Sequence, residues 1–142
     1  MEIKEIAPYL MFDGDCAEAF RFYQNVLGGK LDVQTYGQSP AKDHVPGNVH
    51  DRVIHARLSI GNWGLMGSDA PSPDQFARPA GTQVTLTIGS AADARRIFDA
   101  LAQGGQVTMN FDKTFWSPGF GMVVDRFGTP WMVNTLSEPA AT

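Results

Sequence analysis

Thr82-Gln83-Val84-Thr85-Leu86-Thr87-Ile88-Gly89 alternates apolar and polar side chains along most of its length, the period-two mark of a strand with one buried face. Val84, Leu86 and Ile88 are expected beneath a helix, and Gln83, Thr85 and Thr87 on the opposite, open face. A helix follows at once. From Ser90 or Ala91 onward, Ala94, Ile97, Phe98 and Leu101 form an apolar stripe, and Gly104-Gly105 ends it. Three strand-like runs complete this half: Gln106 to Phe115, Phe120 to Asp125, and Pro130 to Leu136. They are separated by Ser117-Pro118-Gly119 and by the turn at Phe127-Gly128-Thr129, where the charges around Asp125 are expected to be exposed.

The same plan precedes it. Ile3 to Phe12 reads as a strand, locally weakened by Pro8. A helix over Cys16 to Leu27 presents Ala19, Phe22, Tyr23 and Val26 on one face. Asp15 is placed to cap it, with Glu18 completing a capping box, and Gly28-Gly29 to stop it. Lys30 to Tyr36, Val53 to Ile60 and Trp63 to Ser68 supply three strands, with a loop from Gly37 to about His50 and a turn at Gly61-Asn62. An ungapped shift of 76 residues sets Leu10 on Leu86, Phe22 on Phe98, and Gly28-Gly29 on Gly104-Gly105. The chain therefore reads as an α+β protein of two tandem βαβββ modules, residues 1–68 and 82–142. A proline-bearing linker, residues 69–81, joins them. The shift also puts Pro8, Leu10 and Phe12 beneath the first helix, with Ala7, Tyr9 and Met11 on the open side. Aligning Leu65-Met66-Gly67-Ser68 with Trp131-Met132-Val133-Asn134 adds Met66, Ser68, Met132 and Asn134 to the open side. Two curved mixed sheets around a cleft with this lining suit a small organic ligand.

Composition narrows the partners. Eleven basic against fifteen acidic residues give a net charge of −4, with no Lys/Arg run for a nucleic acid or an anionic membrane. No apolar stretch approaches the roughly 20 residues of a transmembrane helix, and Met1-Glu2-Ile3-Lys4-Glu5 is too charged for a signal peptide. One cysteine makes neither an internal disulfide nor a multi-thiolate metal site, so a cytoplasmic location is expected.

Pro8-Tyr9-Leu10-Met11-Phe12-Asp13-Gly14, Ala17-Glu18-Ala19-Phe20-Arg21-Phe22-Tyr23 and Leu27-Gly28-Gly29 resemble the vicinal-oxygen-chelate (glyoxalase and bleomycin-resistance) superfamily. Within it they resemble the PhnB-like branch, also labelled 3-demethylubiquinone-9 3-methyltransferase-like. Leu65-Met66-Gly67-Ser68-Asp69, Thr114-Phe115-Trp116 and Asp125-Arg126-Phe127-Gly128-Thr129-Pro130-Trp131 extend the likeness over essentially the whole chain. The resemblance implies paired βαβββ modules and a homodimer. It also implies that metal-using members carry His, Gln or Glu at the places held here by Ala7, Met66, Gln83 and Met132. Only Gln83 offers an oxygen to a hard cation. No cofactor is therefore expected. A divalent metal held by Gln83 with His55 or a carboxylate is the alternative, and would make the protein a lyase, isomerase or dioxygenase. The methyltransferase label lacks support in the chain: neither Gly28-Gly29 after a helix nor Gly119-Phe120-Gly121 before a strand makes the glycine-rich loop of a doubly wound cofactor fold.

The candidate ligand-binding residues are Tyr9, Met11, His55, Met66, Ser68, Gln83, Thr85, Trp116, Phe120, Met132 and Asn134. Trp116 and Phe120 enter as an aromatic wall around Ser117-Pro118-Gly119, and His55 as a base near neutral pH. His44 and His50 lack metal-site spacing, and Cys16, at a helix start, reads mainly as packing.

Overall fold

A computed structural model describes residues 1–136. The chain divides into two compact units, Met1–Arg78 and Pro79–Thr142. In the first, β1 (Tyr9–Phe12), α1 (Cys16–Leu27), β2 (Lys30–Thr35), β3 (Val53–Ile60) and β4 (Trp63–Asp69) form a mixed sheet in the order β1-β4-β3-β2. In the second, β5 (Val84–Ile88), α2 (Ala91–Ala102), β6 (Gln106–Asp112), β7 (Phe120–Val124) and β8 (Pro130–Thr135) repeat it as β5-β8-β7-β6. Each module is βαβββ, and in each the first and last strands pair in parallel. Short 3₁₀ turns at Tyr36–Gln38, Pro40–His44 and Gly47–Val49 order the expected loop. The first strand begins only at Tyr9, which leaves Pro8 exposed ahead of the ladder rather than beneath α1, although its carbonyl still accepts from the Met66 amide.

The helices cover one face of each sheet. Leu10, Phe12, Ala56, Leu58 and Leu65 meet Ala19, Phe20 and Tyr23 of α1 in a closed core. The stripe on α1 differs from the expected one: Cys16, Ala19, Phe20 and Tyr23 are buried, while Phe22 and Val26 are only half-buried. Phe20 drives the change. Its ring lies over Gly67, where a Cβ would approach it closer than 3.0 Å, and it packs edge-on against Phe12 and Tyr23. The counterpart of the buried Phe98 is therefore Phe20, and the helix cores match at a shift of 78 residues, although the first strands match at 76. Ser90 caps α2 by accepting from the Asp93 amide.

Asp15 does not cap α1, because a side chain from another element does so. Asp69, at the end of β4 and 1% exposed, accepts from the amides of Gly14 (2.7 Å) and Cys16 (3.1 Å) through Oδ1, and from Val53 (2.8 Å) through Oδ2. One carboxylate thus fastens the starts of α1 and β3 to the end of β4. Asp125 is buried as well, contrary to the exposed turn expected. It accepts from the amides of Phe127 and Thr129 and from the Trp131 indole at 2.8 Å.

Burial, and secondarily the Asp69 and Asp15 charges, push the Cys16 thiol well above its usual range. In the native protein Cys16 will resist alkylation by iodoacetamide at pH 8 and react only after denaturation, as mass spectrometry can check. Burial, with the nearby Asp69 and Glu18 charges, also raises the carboxyl of Asp15. A raised folded-state value means that ionised Asp15 subtracts from stability at neutral pH. Its contribution is fully favourable only below the unfolded-state value and is lost as pH rises through the folded one. Asp15→Asn is therefore expected to be neutral or stabilising at pH 7, the gain vanishing below the ordinary aspartate range. Asp69→Ala, which strands buried amides, is expected to cost about 3 kcal/mol or more. Denaturant unfolding of both variants across pH measures the contrast.

Candidate functional site

In a sheet, residues in register present their side chains to the same face. Across the first sheet, Tyr9, Met66, Arg57 and Asp32 form one such row on the side away from α1. Met11 beside Ser68, and His55 beside Gln34, lie on the same side. Tyr9 and Met11 are exposed, as is His55. The Tyr9 hydroxyl lies 3.2 Å from Nδ1 of His55, with the rings stacked at 5.7 Å. With the phenol donating, a neutral imidazole carries its proton on Nε2 and offers it as a donor. Ser68 is 6% exposed and directs its hydroxyl at the Met11 sulfur, 3.5 Å away. Arg57 pairs with Glu5 at 2.9 Å. This open face is polar and charged around a central thioether.

The second sheet repeats the geometry with different chemistry. Thr85, Met132, Met122 and Met109 stand in one row across β5, β8, β7 and β6. Thr87, Asn134 and Phe120 stand in the next. Trp116 packs edge-on against Phe120 at 5.4 Å and against Phe115 at 4.7 Å. The turn carrying Trp116 is fastened from below. Thr114 Oγ1 accepts from the amides of Trp116 and Ser117, and buried Ser117 Oγ donates to the Gly119 carbonyl at 2.7 Å. Asn134 Oδ1 is shielded from solvent and accepts no hydrogen bond among the described residues. Three methionines in a row make a deformable, polarisable surface.

The four places where the resemblance implies metal ligands can be tested on their donors. Ala7 has none; Met66 and Met132 bring thioethers to the open faces; Gln83 is exposed ahead of β5. This set does not fit a hard divalent cation, which takes oxygen and imidazole ligands. Among the described residues, no three His, Cys, Asp or Glu side chains converge as a metal site. His50 instead bonds the Lys42 carbonyl at 3.0 Å. Arg57, Glu5, Met109 and Met122 belong to the open faces yet were not singled out from sequence. Arg57 shares the strand parity of His55 and was legible in principle, whereas the methionine row depends on cross-strand register, which no local pattern carries.

A family model described as the glyoxalase/bleomycin resistance protein/dioxygenase superfamily matches residues 5–133. Protein YjdN of Escherichia coli strain K12 is 33% identical over 142 aligned residues, covering 94% of this chain and 96% of that protein. The crystal structure of protein PA1353 from Pseudomonas aeruginosa superimposes with a TM-score of 0.83 at 42% identity, covering 94% of this chain and 98% of that one. The PhnB protein from Bacillus cereus shares the fold at a TM-score of 0.76 and 22% identity, over 93% of this chain and 99% of that one. With its duplicated βαβββ modules and a match over nearly its full length, the chain belongs to the glyoxalase/bleomycin resistance/dioxygenase superfamily.

Proposed function

We propose that this protein is a PhnB-like small-molecule-binding protein of the glyoxalase/bleomycin-resistance type, which holds an organic ligand without the metal chelate used elsewhere in the superfamily. The observation that carries this reading is the chemistry of one row. Met132 stands where a metal ligand is implied, flanked in register by Thr85 on one side and by Met122 and Met109 on the other. Thioethers in the row next to that of Phe120, against which Trp116 packs, favour dispersion contacts with a flat, polarisable body, and half-buried Asn134 in the Phe120 row adds a polar side chain. In the other module Tyr9, His55 and Arg57 supply polar anchors around Met66. The proposal includes a homodimer in the cytoplasm. A net charge of −4 and the lack of a basic run speak against nucleic acid as a partner, and no described helix is long and apolar enough to cross a membrane.

The test is a thermal-shift screen of planar organic compounds, with elemental analysis of untagged protein. At a ligand concentration one hundred times Kd, binding adds about 2.7 kcal/mol of stability, a rise of several degrees for a domain of this size. At least one compound is expected to give such a rise unchanged by EDTA. Met132→Asp, with its fold verified by circular dichroism, is expected to lose it. Stoichiometric bound metal, a shift that requires added Mn²⁺, Ni²⁺ or Zn²⁺, or silence across the panel would overturn the proposal.

A further inference from the structure

Arg57 has two acidic neighbours to choose from. Asp32 faces it in register across β2. Its guanidinium turns the other way, across β4, to meet Glu5 Oε1 at 2.9 Å. Gly64 lies beneath the pair. It lies in β4 opposite Ser59, on the open face, and a Cβ there would come closer than 3.0 Å to both Arg57 Nη2 and Glu5 Oε1. The guanidinium–carboxylate pair thus lies in the space above Gly64 that a side chain there would have to share. Arg57 Nε is held as well, donating to Ser59 Oγ at 3.1 Å. Glu5, by contrast, comes from the segment ahead of β1, which has no regular secondary structure and is exposed except for half-buried Ala7.

We infer that Arg57 over Gly64 is a binding seat for the carboxylate of a small ligand, occupied by Glu5 as a built-in competitor. The inference rests on the small-molecule reading above and names the ligand group that the first module takes. The host groups of the seat lie on β3 and β4, while its present occupant is delivered by a segment outside the sheet. The ion pair is partly exposed, so a dissolved carboxylate can reach the guanidinium and compete with Glu5 for it. Met66 stands between Arg57 and Tyr9 in register, so the apolar body of such a ligand would lie on its thioether and against the phenol ring. The ligand class is an aryl or short alkyl carboxylate.

The probe is benzoate, followed by NMR through the Met66 methyl and the Arg57 Nε–H, with benzamide and inorganic phosphate as matched controls. Benzoate is expected to shift both signals and to bind at least about tenfold more tightly than benzamide, since only the anion makes charge-assisted bonds. Glu5→Gln should tighten benzoate binding about two- to fivefold, the range for releasing one exposed ion pair. Arg57→Gln should weaken it about tenfold or more in either background. Gly64→Ala, which puts a Cβ into that space, should weaken it too. Thermal melts establish that each variant is folded. Benzoate binding that ignores Glu5→Gln and Arg57→Gln would overturn this seat while leaving small-molecule binding intact. Phosphate binding as tightly as benzoate would overturn the carboxylate assignment. Absence of any organic ligand from the compound screen would remove the reading beneath it.

Discussion

Parallel pairing of the first strand of each module with its last is the constraint on which the open faces depend. Tyr9 against Met66 and Met11 against Ser68 recur as Thr85 against Met132 and Thr87 against Asn134. A slip of one residue in either ladder would exchange the two faces, burying the polar row and exposing the core row. The first ladder is locked by shape, because Phe20 of α1 sits where Gly67 lacks a side chain, beside the Leu10 carbonyl. It is locked again by charge, because the Asp69 carboxylate at the end of β4 takes amides from the starts of α1 and β3. In the second module Phe98 finds its space over Gly121 on β7 rather than on the last strand. The same helix-to-sheet problem is solved with a different strand.

Duplication has kept the scaffold and let its surface chemistry diverge. The first module gathers Asp32, Gln34, His55, Arg57 and Tyr9 on its open face. The second gathers methionines, threonines and aromatic rings. Helix-facing positions differ less in kind: Leu10 and Leu86 share a role, as do Phe20 and Phe98. A buried side chain answers to packing density, and its replacements are limited by volume. An open-face side chain answers to what it meets, and its neighbours in the sheet tolerate a change of chemistry.

The modular plan, both helices and nearly every strand could be read from period and punctuation. The alternation at Val84, Leu86 and Ile88 and the paired glycines after each helix are local signals, and local signals survive in sequence. What could not be read was mostly set by residues distant in the chain. Asp15 and Glu18 have the spacing of a capping box, yet Asp69, over fifty residues away, takes the α1 amide instead. Phe22 has helical spacing with Ala19 and Val26, yet Gly67 on a distant strand decides that Phe20 is the buried ring. Asp125 reads as an exposed turn charge, yet the Phe127 and Thr129 amides and the Trp131 indole hold it in the interior. Tyr9, Met66, Met132 and Asn134 were placed on open faces by parity alone. The Glu5–Arg57 pair over Gly64 needed three segments at once.

Thioethers on both open faces bear on how a protein of this superfamily could manage without a chelate. A hard cation fixes its ligand by a few short, directional bonds, and loses that hold when its oxygen or imidazole donors are replaced. A methionine surface works by area: each contact is weak, many add up, and flexible side chains adjust to ligands of different outline. Specificity must then come from a small number of polar groups held in place by the backbone. The proposed reading gives that part to Asn134 in the second module and to His55, steadied by Tyr9, in the first, each on a strand. On the proposed reading, methionines in place of chelating residues would exchange a narrow requirement for oxygen chelation for a broader one for flat, polarisable molecules with a few well-placed polar atoms.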